Sequence, residues 1–463
     1  MGGLAGSYAG MPVVVAGAGL SGAAAARALR ERGARVTVVD RSEQRAEPLR
    51  AEGFEVCSTD DLPAGTALVV TSPGWRPDAP LLVAASAAGV EVIGEVELAW
   101  RLQASERESG GPSWLAVTGT NGKTTTVRML AAILSAAGLR TVAAGNIGVP
   151  LLEAVLATEP YAVLAVELSS FQLHWSSTVR PHTAAVLNVA PDHLDWHGSP
   201  GAYAAAKGRI HGPGTVAVYN RQDAESVRLA ARADTRAGFT LGSPGPGELG
   251  VVEDLLVDRA FTHCAGPDVA GEATELAMLA DVGVPGAHNV ANALAAAALA
   301  RSYGVPAGAV KDGLRAFVPD PHRNALVATV GGVAFVDDSK ATNPHAAAAS
   351  LAAYGSVVWV AGGLLKGADV DELVRQAAGR LRGVVLLGTD RAAFRHALSR
   401  HAPEIPVLEV DRLDTGAMSD VVSAARSLAR PGDTVLLAPA AASLDCFRDY
   451  RERGERFAAE VRR

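Results

Sequence analysis

Short, wholly apolar runs alternate along this chain with longer Ala-rich stretches, and polar clusters collect just after the apolar runs. VVVAG (Val13 to Gly17) has the continuous apolar character of a strand covered on both faces. The run to Arg32 reads as a helix and RVTVVD (Arg35 to Asp40) as a second strand. The Ser/Glu/Gly-rich stretch from Gln103 to Ser113 has no apolar period and marks a first boundary. Strands are then predicted at Trp114 to Val117, Ala162 to Glu167, Ala184 to Asn188 and Thr215 to Tyr219. Phe239 to Val284 reads as short β pieces before a helix starting near His288, and Pro319 and Pro321 break the pattern at a second boundary. Beyond it VAFVD, SVVWVAG, GVVLLG, VLEV and TVLLAP alternate with helices, the last of which reads as a solvated, charge-mixed face. The prediction is an α/β chain of three consecutive domains, 1–108, 109–320 and 321–463. The first and last read as Rossmann-like, the central one as P-loop-type, and ligands belong at the carboxyl ends of the strands.

Composition narrows the chemistry. The 463 residues exceed one core, and with 49% apolar but only 5% aromatic residues the cores must be built from Ala, Val and Leu. A net charge of −7 supplies no basic surface for nucleic acid. Cys57, Cys264 and Cys446 are too scattered for a disulfide framework or a zinc site, which predicts a reducing, cytoplasmic setting. The charge-poor stretches Met1 to Ala26 and Ala346 to Leu365 are broken by turn residues, so no membrane insertion is expected.

Two glycine-rich turns carry the clearest chemistry. Gly17-Ala-Gly-Leu-Ser-Gly22 matches GxGxxG between a strand and a helix, with Asp40 ending the next strand; NAD, FAD or another nucleotide diphosphate fits it, and so does plain helix–strand packing. Thr118-Gly-Thr-Asn-Gly-Lys-Thr-Thr125 resembles a phosphate-binding loop although Val117 stands where the full pattern has Gly. Its backbone N–H groups suit phosphate oxygens, Lys123 their charge and Thr124 a magnesium ion. Glu167 at a strand end fits a metal ligand or a cap. His193, between Asp192 and Asp195, fits a ligand, an acid/base group or a turn, and Lys207 by itself reads as a helix lysine. Asp338-Ser-Lys-Ala-Thr-Asn343 is polar enough for a site.

Together these segments resemble the Mur ligase family, ATP-dependent amino-acid ligases of bacterial cell-wall synthesis. The resemblance runs through TGTNGKTT, ELSSFQL (Glu167 to Leu173), Asn188 to Asp195, the YAAAK stretch, HNVANALAA, GNIG, PHR, DSKATNP, GGLLKGAD and APAAASLDCFRDYRERG. It implies that a monomer phosphorylates UDP-N-acetylmuramoyl-L-alanine with ATP and joins it to D-glutamate. Folylpolyglutamate-type or L-glutamate-adding relatives are the alternatives within the class; a dehydrogenase or a non-catalytic ATP switch lies outside it. By resemblance Lys123, His193 and Lys207 are catalytic. ATP meets Gly119, Thr120, Asn121, Gly122, Lys123, Thr124, Thr125, Asn289, Asn292, Arg323, Asp338 and Lys340. Thr124 and Glu167 hold one magnesium; His193 and Lys207, the latter as a carbamate, serve a second. The uridine diphosphate end meets Gly17, Gly19, Leu20, Ser21, Gly22, Asp40, Arg41, Ser72, Pro73 and Gly74, the acyl region Asn146, Ser169 and Gln172, and glutamate Thr342, Lys366, Ser443 and Tyr450. Tyr450 stands where Phe is frequent, and His174 where an acidic residue is common.

Overall fold

The computed structural model describes residues 8–58, 61–106, 111–262 and 273–463; Cys264 lies outside them. The first predicted strand and its neighbours form an all-parallel sheet of β1 (Pro12–Ala16), β2 (Arg35–Val39), β3 (Glu55–Cys57), β4 (Leu68–Thr71) and β5 (Glu91–Gly94), in the order β3-β2-β1-β4-β5. The order reverses beside β1, which opens a crevice at its carboxyl end. Val13, Val14, Val15 and Ala16 are all buried, as a strand covered on both faces requires. The helix Leu20–Glu31 packs through Gly22, Ala24, Ala25, Ala28 and Leu29. A Cβ on Gly22 would stand 1.8 Å from the Gly17 carbonyl oxygen, so the last glycine of the turn serves helix–strand contact.

The second sheet has nine strands: β6 (Ser113–Thr118), β7 (Thr141–Gly145), β8 (Val163–Glu167), β9 (Thr183–Val186), β10 (Val216–Asn220), β11 (Arg236–Phe239), β12 (Glu248–Val252), β13 (Leu255–Asp258) and β14 (Thr274–Met278). Its order is β14-β13-β12-β11-β10-β9-β6-β8-β7, parallel from β7 to β12 and antiparallel through β13 and β14. The irregular stretch after Phe239 is therefore a hairpin extension of this sheet. β7, TVAAG, carries too little branched apolar character to stand out in the sequence.

The third sheet runs β15 (Ala325–Val330), β16 (Val333–Asp337), β17 (Val357–Gly362), β18 (Leu381–Leu387), β19 (Val407–Glu409) and β20 (Thr434–Leu437), in the order β15-β16-β20-β17-β18-β19 with β15 antiparallel. The closing helix Tyr450–Arg462 departs from the expected solvated face at one point. Arg453 is buried, donating to Ser339 Oγ at 2.9 Å, Ser339 O at 2.8 Å and Ala441 O at 3.1 Å. Contacts divide the chain into one unit reaching to Asp281 together with Ala291–Phe317, and another of Val282–Val290 with Val318–Arg463. Among the described residues no helix is long and apolar enough to cross a membrane.

Within the first unit two buried carboxylates join the first and second sheets. Glu95 and Glu97 open the helix Glu95–Glu106 directly after β5. Glu95 accepts the Leu152 N–H at 2.8 Å; Glu97 accepts the N–H groups of Ser177 and Thr178 at 2.8 and 3.0 Å and the Thr178 hydroxyl at 2.6 Å. Burial pushes the Glu95 carboxyl up to about 7 against the pull of the Leu152 and Leu151 N–H groups. Glu97 is buried too, but hydrogen bonds from Thr178, Ser177 and Arg101 outweigh burial and hold it below the usual carboxylate range. Ionising Glu95 in the folded protein is penalised, so its contribution to stability declines as pH rises from its unfolded-state value of 4.5 toward about 7. Glu95→Gln removes that slope. Its Tm should therefore gain on wild type by roughly 5 °C between about pH 5 and about pH 8, followed by calorimetry; a pH-independent difference would contradict the assignment.

Candidate active site

TGTNGKTT forms the turn from β6 into the helix Lys123–Ala136. Gly122 caps that helix at φ 86°, and a Cβ there would stand 2.4 Å from Asn292 Oδ1, so both the backbone and the space demand glycine. The loop is pinned from the end of β9: Asn121 N–H donates to Asn188 Oδ1 at 2.9 Å, Asn188 Nδ2 donates to Asn121 O at 3.1 Å, and Thr120 N–H donates to Asn188 O at 3.0 Å. The carboxyl ends of three adjacent strands, β6, β8 and β9, thus meet around this turn.

Glu167, at the end of β8, is buried and bridges two neighbours. Thr124 Oγ1 donates to its Oε2 at 2.8 Å and Asn146 Nδ2 to its Oε1 at 2.7 Å, while Asn146 N–H donates to its carbonyl at 2.9 Å. Lys123 Nζ folds onto the loop, donating to Gly119 O at 2.8 Å and Thr120 O at 2.9 Å. Lys207 Nζ reaches the same Gly119 carbonyl at 2.8 Å from the helix Pro200–Gly208. Its side chain is buried rather than the solvated lysine its helix position alone suggests. Tyr203, one turn earlier on that helix, pairs with Thr120 Oγ1 at 3.0 Å. The i, i+4 spacing of Tyr203 and Lys207 was the available signal for Tyr203.

Burial, and after it the Lys123 charge, pushes the Lys207 amine well below the usual lysine range, against Asp192 and Glu167. His193 caps the short helix Leu194–His197 in the left-handed region, φ 52°, with its ring 4.7 Å from that of Phe171. Burial lowers its pKa, and the charges of Lys123 and Lys207 add to this against Asp192, which favours the neutral imidazole. Among the described residues no three His, Cys, Asp or Glu side chains converge on one point. The Glu167 carboxylate and the Thr124 hydroxyl are nonetheless hard oxygen donors at a phosphate-type loop, a set that suits magnesium completed by phosphate oxygens. Gln172 takes part in a capping box on the helix Ser170–His174: Ser169 N–H donates to its Oε1 at 2.9 Å and its own N–H to Ser169 Oγ at 3.2 Å.

In the first sheet Asp40 closes the glycine turn. Its carboxylate accepts Ala18 N–H at 2.8 Å, Ser42 N–H at 2.7 Å and the Arg45 guanidinium at 3.0 and 3.1 Å. Burial raises its pKa, but Arg45 and those N–H groups outweigh it and hold the carboxyl below its usual range. Beside it a cleft of about 480 Å³ is lined by Arg41, Arg45, Gly74, Trp75 and Arg76 among others. Ser72 lies below, its hydroxyl buried against Gly17 and without a hydrogen-bond partner, and Leu20 is exposed at the helix start.

In the second unit two loops are cross-bridged: Leu364 N–H donates to Ala442 O at 2.8 Å and Ala442 N–H to Leu364 O at 2.9 Å. This brings together the segments bearing exposed Lys366, at φ 53°, and buried Ser443. Lys340 Nζ lies 3.9 Å over the Tyr450 ring, and Thr342 N–H donates to Lys340 O at 2.8 Å. Beside Arg323, His322 Nδ1 contacts Asp337 Oδ2 at 2.6 Å. Desolvation pushes the Asp338 carboxyl up to about 6. Asn289 is buried and donates to Pro285 O at 2.7 Å. The His322–Asp337 and Arg453–Ser339 contacts join positions far apart in the chain, and no local pattern announces them.

Three family models match in chain order: the MurD-like Mur ligase N-terminal domain over residues 11–94, the Mur ligase middle domain over 117–300, and the Mur ligase glutamate ligase domain over 322–441. Over 469 residues the chain is 61% identical to the UDP-N-acetylmuramoylalanine–D-glutamate ligase of Streptomyces avermitilis, covering 98% of this chain and 99% of that one. It is 62% identical over 466 residues to the Thermobifida fusca protein of the same name, covering 98% of each. The UDP-N-acetylmuramate-alanine ligase of Thermotoga maritima shares the fold, with a TM-score of 0.58 at 20% identity over 98% of this chain and 99% of that one. With matching domains in this order and relatives this similar along nearly its whole length, the chain belongs to the Mur ligase family.

Proposed function

We infer that this chain catalyses the ATP-dependent ligation of D-glutamate to UDP-N-acetylmuramoyl-L-alanine, a step of peptidoglycan precursor synthesis. The observation that carries the reading is the phosphate-type loop, where Thr124 meets Glu167 and two lysine amines meet the Gly119 carbonyl. A carboxylate is a poor acyl donor. Its oxygen therefore attacks the γ-phosphorus of ATP, ADP leaves, and the D-glutamate amine displaces phosphate from the acyl carbon with loss of a proton. Lys123 is placed to move from the loop carbonyls onto phosphate oxygens and offset the repulsion between two anions. Magnesium, when bound, supplies further charge shielding, with Thr124 and Glu167 as holders of one ion and His193 and Lys207 of a second. Domains 1–108, 109–320 and 321–463 would serve the uridine diphosphate end, ATP and glutamate respectively. Thr342, Lys366, Ser443 and Tyr450 supply the contacts to glutamate.

Phosphate release should require ATP, UDP-N-acetylmuramoyl-L-alanine and D-glutamate together, with L-glutamate inactive; rapid ATP hydrolysis without the other two would count against the reading. Lys123→Ala should lower turnover by at least ~10²-fold, the scale for one preorganised charge. Lys366→Ala should raise the KM for glutamate about tenfold or more and leave that for ATP nearly unchanged, because a charge-assisted contact to one substrate is lost. Equal effects on both would remove Lys366 from the glutamate site.

Lys207 acts on this reading as a carbamate, formed when its neutral amine adds CO₂ and releases a proton. Burial favours the neutral amine, and the product puts the oxygen donors that magnesium prefers where a lysine cation would repel the ion. Lys207→Ala should lose most activity and regain part of it with formate or acetate, whereas Lys123→Ala should gain nothing from either. Equal rescue of both variants, or a fully active Lys207→Ala, would return Lys207 to a structural role.

A further inference from the structure

Arg76 belongs to two places at once. It lines the cleft beside Asp40, in the turn that carries Gly74 and Trp75. Two of its guanidinium nitrogens are fixed by the Asp78 carboxylate, Nε at 3.0 Å and a terminal nitrogen at 3.1 Å, and the third donates to the Asp195 backbone carbonyl at 2.8 Å. Asp195 lies in the four-residue helix Leu194–His197, whose cap is His193 at φ 52° and whose other end is Gly198 at φ 78°. So short a helix leaves its last carbonyls short of helical partners; the Gly198 N–H meets the Leu194 carbonyl at 2.9 Å. A cation at a helix carboxyl end suits both that carbonyl and the local dipole. The helix is also held by rings: Trp196 lies 4.9 Å from Phe171 and 5.0 Å from His174, and His197 Nε2 meets Ser170 Oγ at 3.0 Å. Arg76 thus reaches this helix from the turn after β4.

We propose that Arg76 is a positioning residue that couples occupation of the first-domain cleft by a nucleotide diphosphate to the placement of His193. The proposal rests on the reading that the cleft seats the uridine diphosphate end of the substrate. Half of the Arg76 side chain is exposed, so water competes for its bond to Asp195. A ligand in the cleft excludes that water and orders the turn from Gly74 to Asp78, which strengthens the bond and steadies the helix that His193 caps. Binding energy from the non-reacting end of the substrate is then spent on alignment at the reacting end.

The test uses the full chain labelled with 5-fluorotryptophan, UDP alone as probe, and the ¹⁹F signals of Trp75, in the cleft wall, and Trp196, beside Asp195, assigned with Trp75→Phe and Trp196→Phe. In wild type UDP should shift both signals. In Arg76→Ala at saturating UDP the Trp75 signal should still move, while the Trp196 response disappears. The same variant should lower kcat about tenfold with the KM for ATP unchanged, the scale of an ordinary coupling between sites. A Trp196 response that survives in Arg76→Ala, or that is missing in wild type while Trp75 moves, overturns the coupling. So does a collapse of UDP affinity with kcat unchanged, which would make Arg76 a direct substrate contact. If UDP leaves Trp75 unmoved in wild type, the seating of the uridine diphosphate end fails and the coupling falls with it.

Discussion

Two lysine amines converge on one backbone carbonyl, and much of the first unit is arranged around that convergence. Lys123 and Lys207 both donate to Gly119 O at 2.8 Å, Lys207 from a buried position. Two ammonium ions so placed repel strongly where water is scarce. The conflict is relieved when one amine is neutral or when an anion enters, and the lowered pKa of Lys207 reflects both burial and the Lys123 charge. A loop of this kind is built to receive negative charge. The same conflict gives chemical sense to converting Lys207 into an anion, since the change replaces repulsion between the two side chains by attraction.

The loop can hold such a geometry because its surroundings are rigid. Asn188 ties it to the end of β9, Thr124 ties it to Glu167 at the end of β8, and Tyr203 ties it to the Lys207 helix. The segments that face it are fixed in turn from the first sheet. Glu95 holds the start of the helix that follows the Asn146 turn, and Glu97 holds the turn that follows the Gln172 helix. The Glu97 carboxylate suits this task, because it accepts several donors at once and each donor lost leaves a buried charge poorly satisfied.

In the second unit one buried guanidinium plays the corresponding part. Arg453 gathers Ser339 and Ala441 from the ends of two neighbouring strands, β16 and β20, and the Leu364–Ala442 bridge adds the loop after β17. Lys340, Lys366 and Ser443 therefore extend from backbone already held together by hydrogen bonds. Polar residues at strand ends become a site when such cross-links remove their freedom to wander.

By itself the sequence determined the alternation of strands and helices, the two glycine-rich turns and the family, since these depend on local periodicity and on residues whose spacing is set within one turn. Gly122 and Lys123 were legible because a strand-to-helix turn limits what can stand there. Tertiary structure alone decided the rest. The burial of Lys207, the pairing of Asn121 with Asn188, the clamps at Glu95 and Glu97 and the reach of Arg76 to Asp195 join residues tens of positions apart, and nothing in their immediate neighbours distinguishes them from surface charges. Gln172 stands between the two. Its place in ELSSFQL marks it for the substrate by resemblance, and the fold adds that its Oε1 closes a capping box with Ser169, a local contact that fixes where the side chain starts.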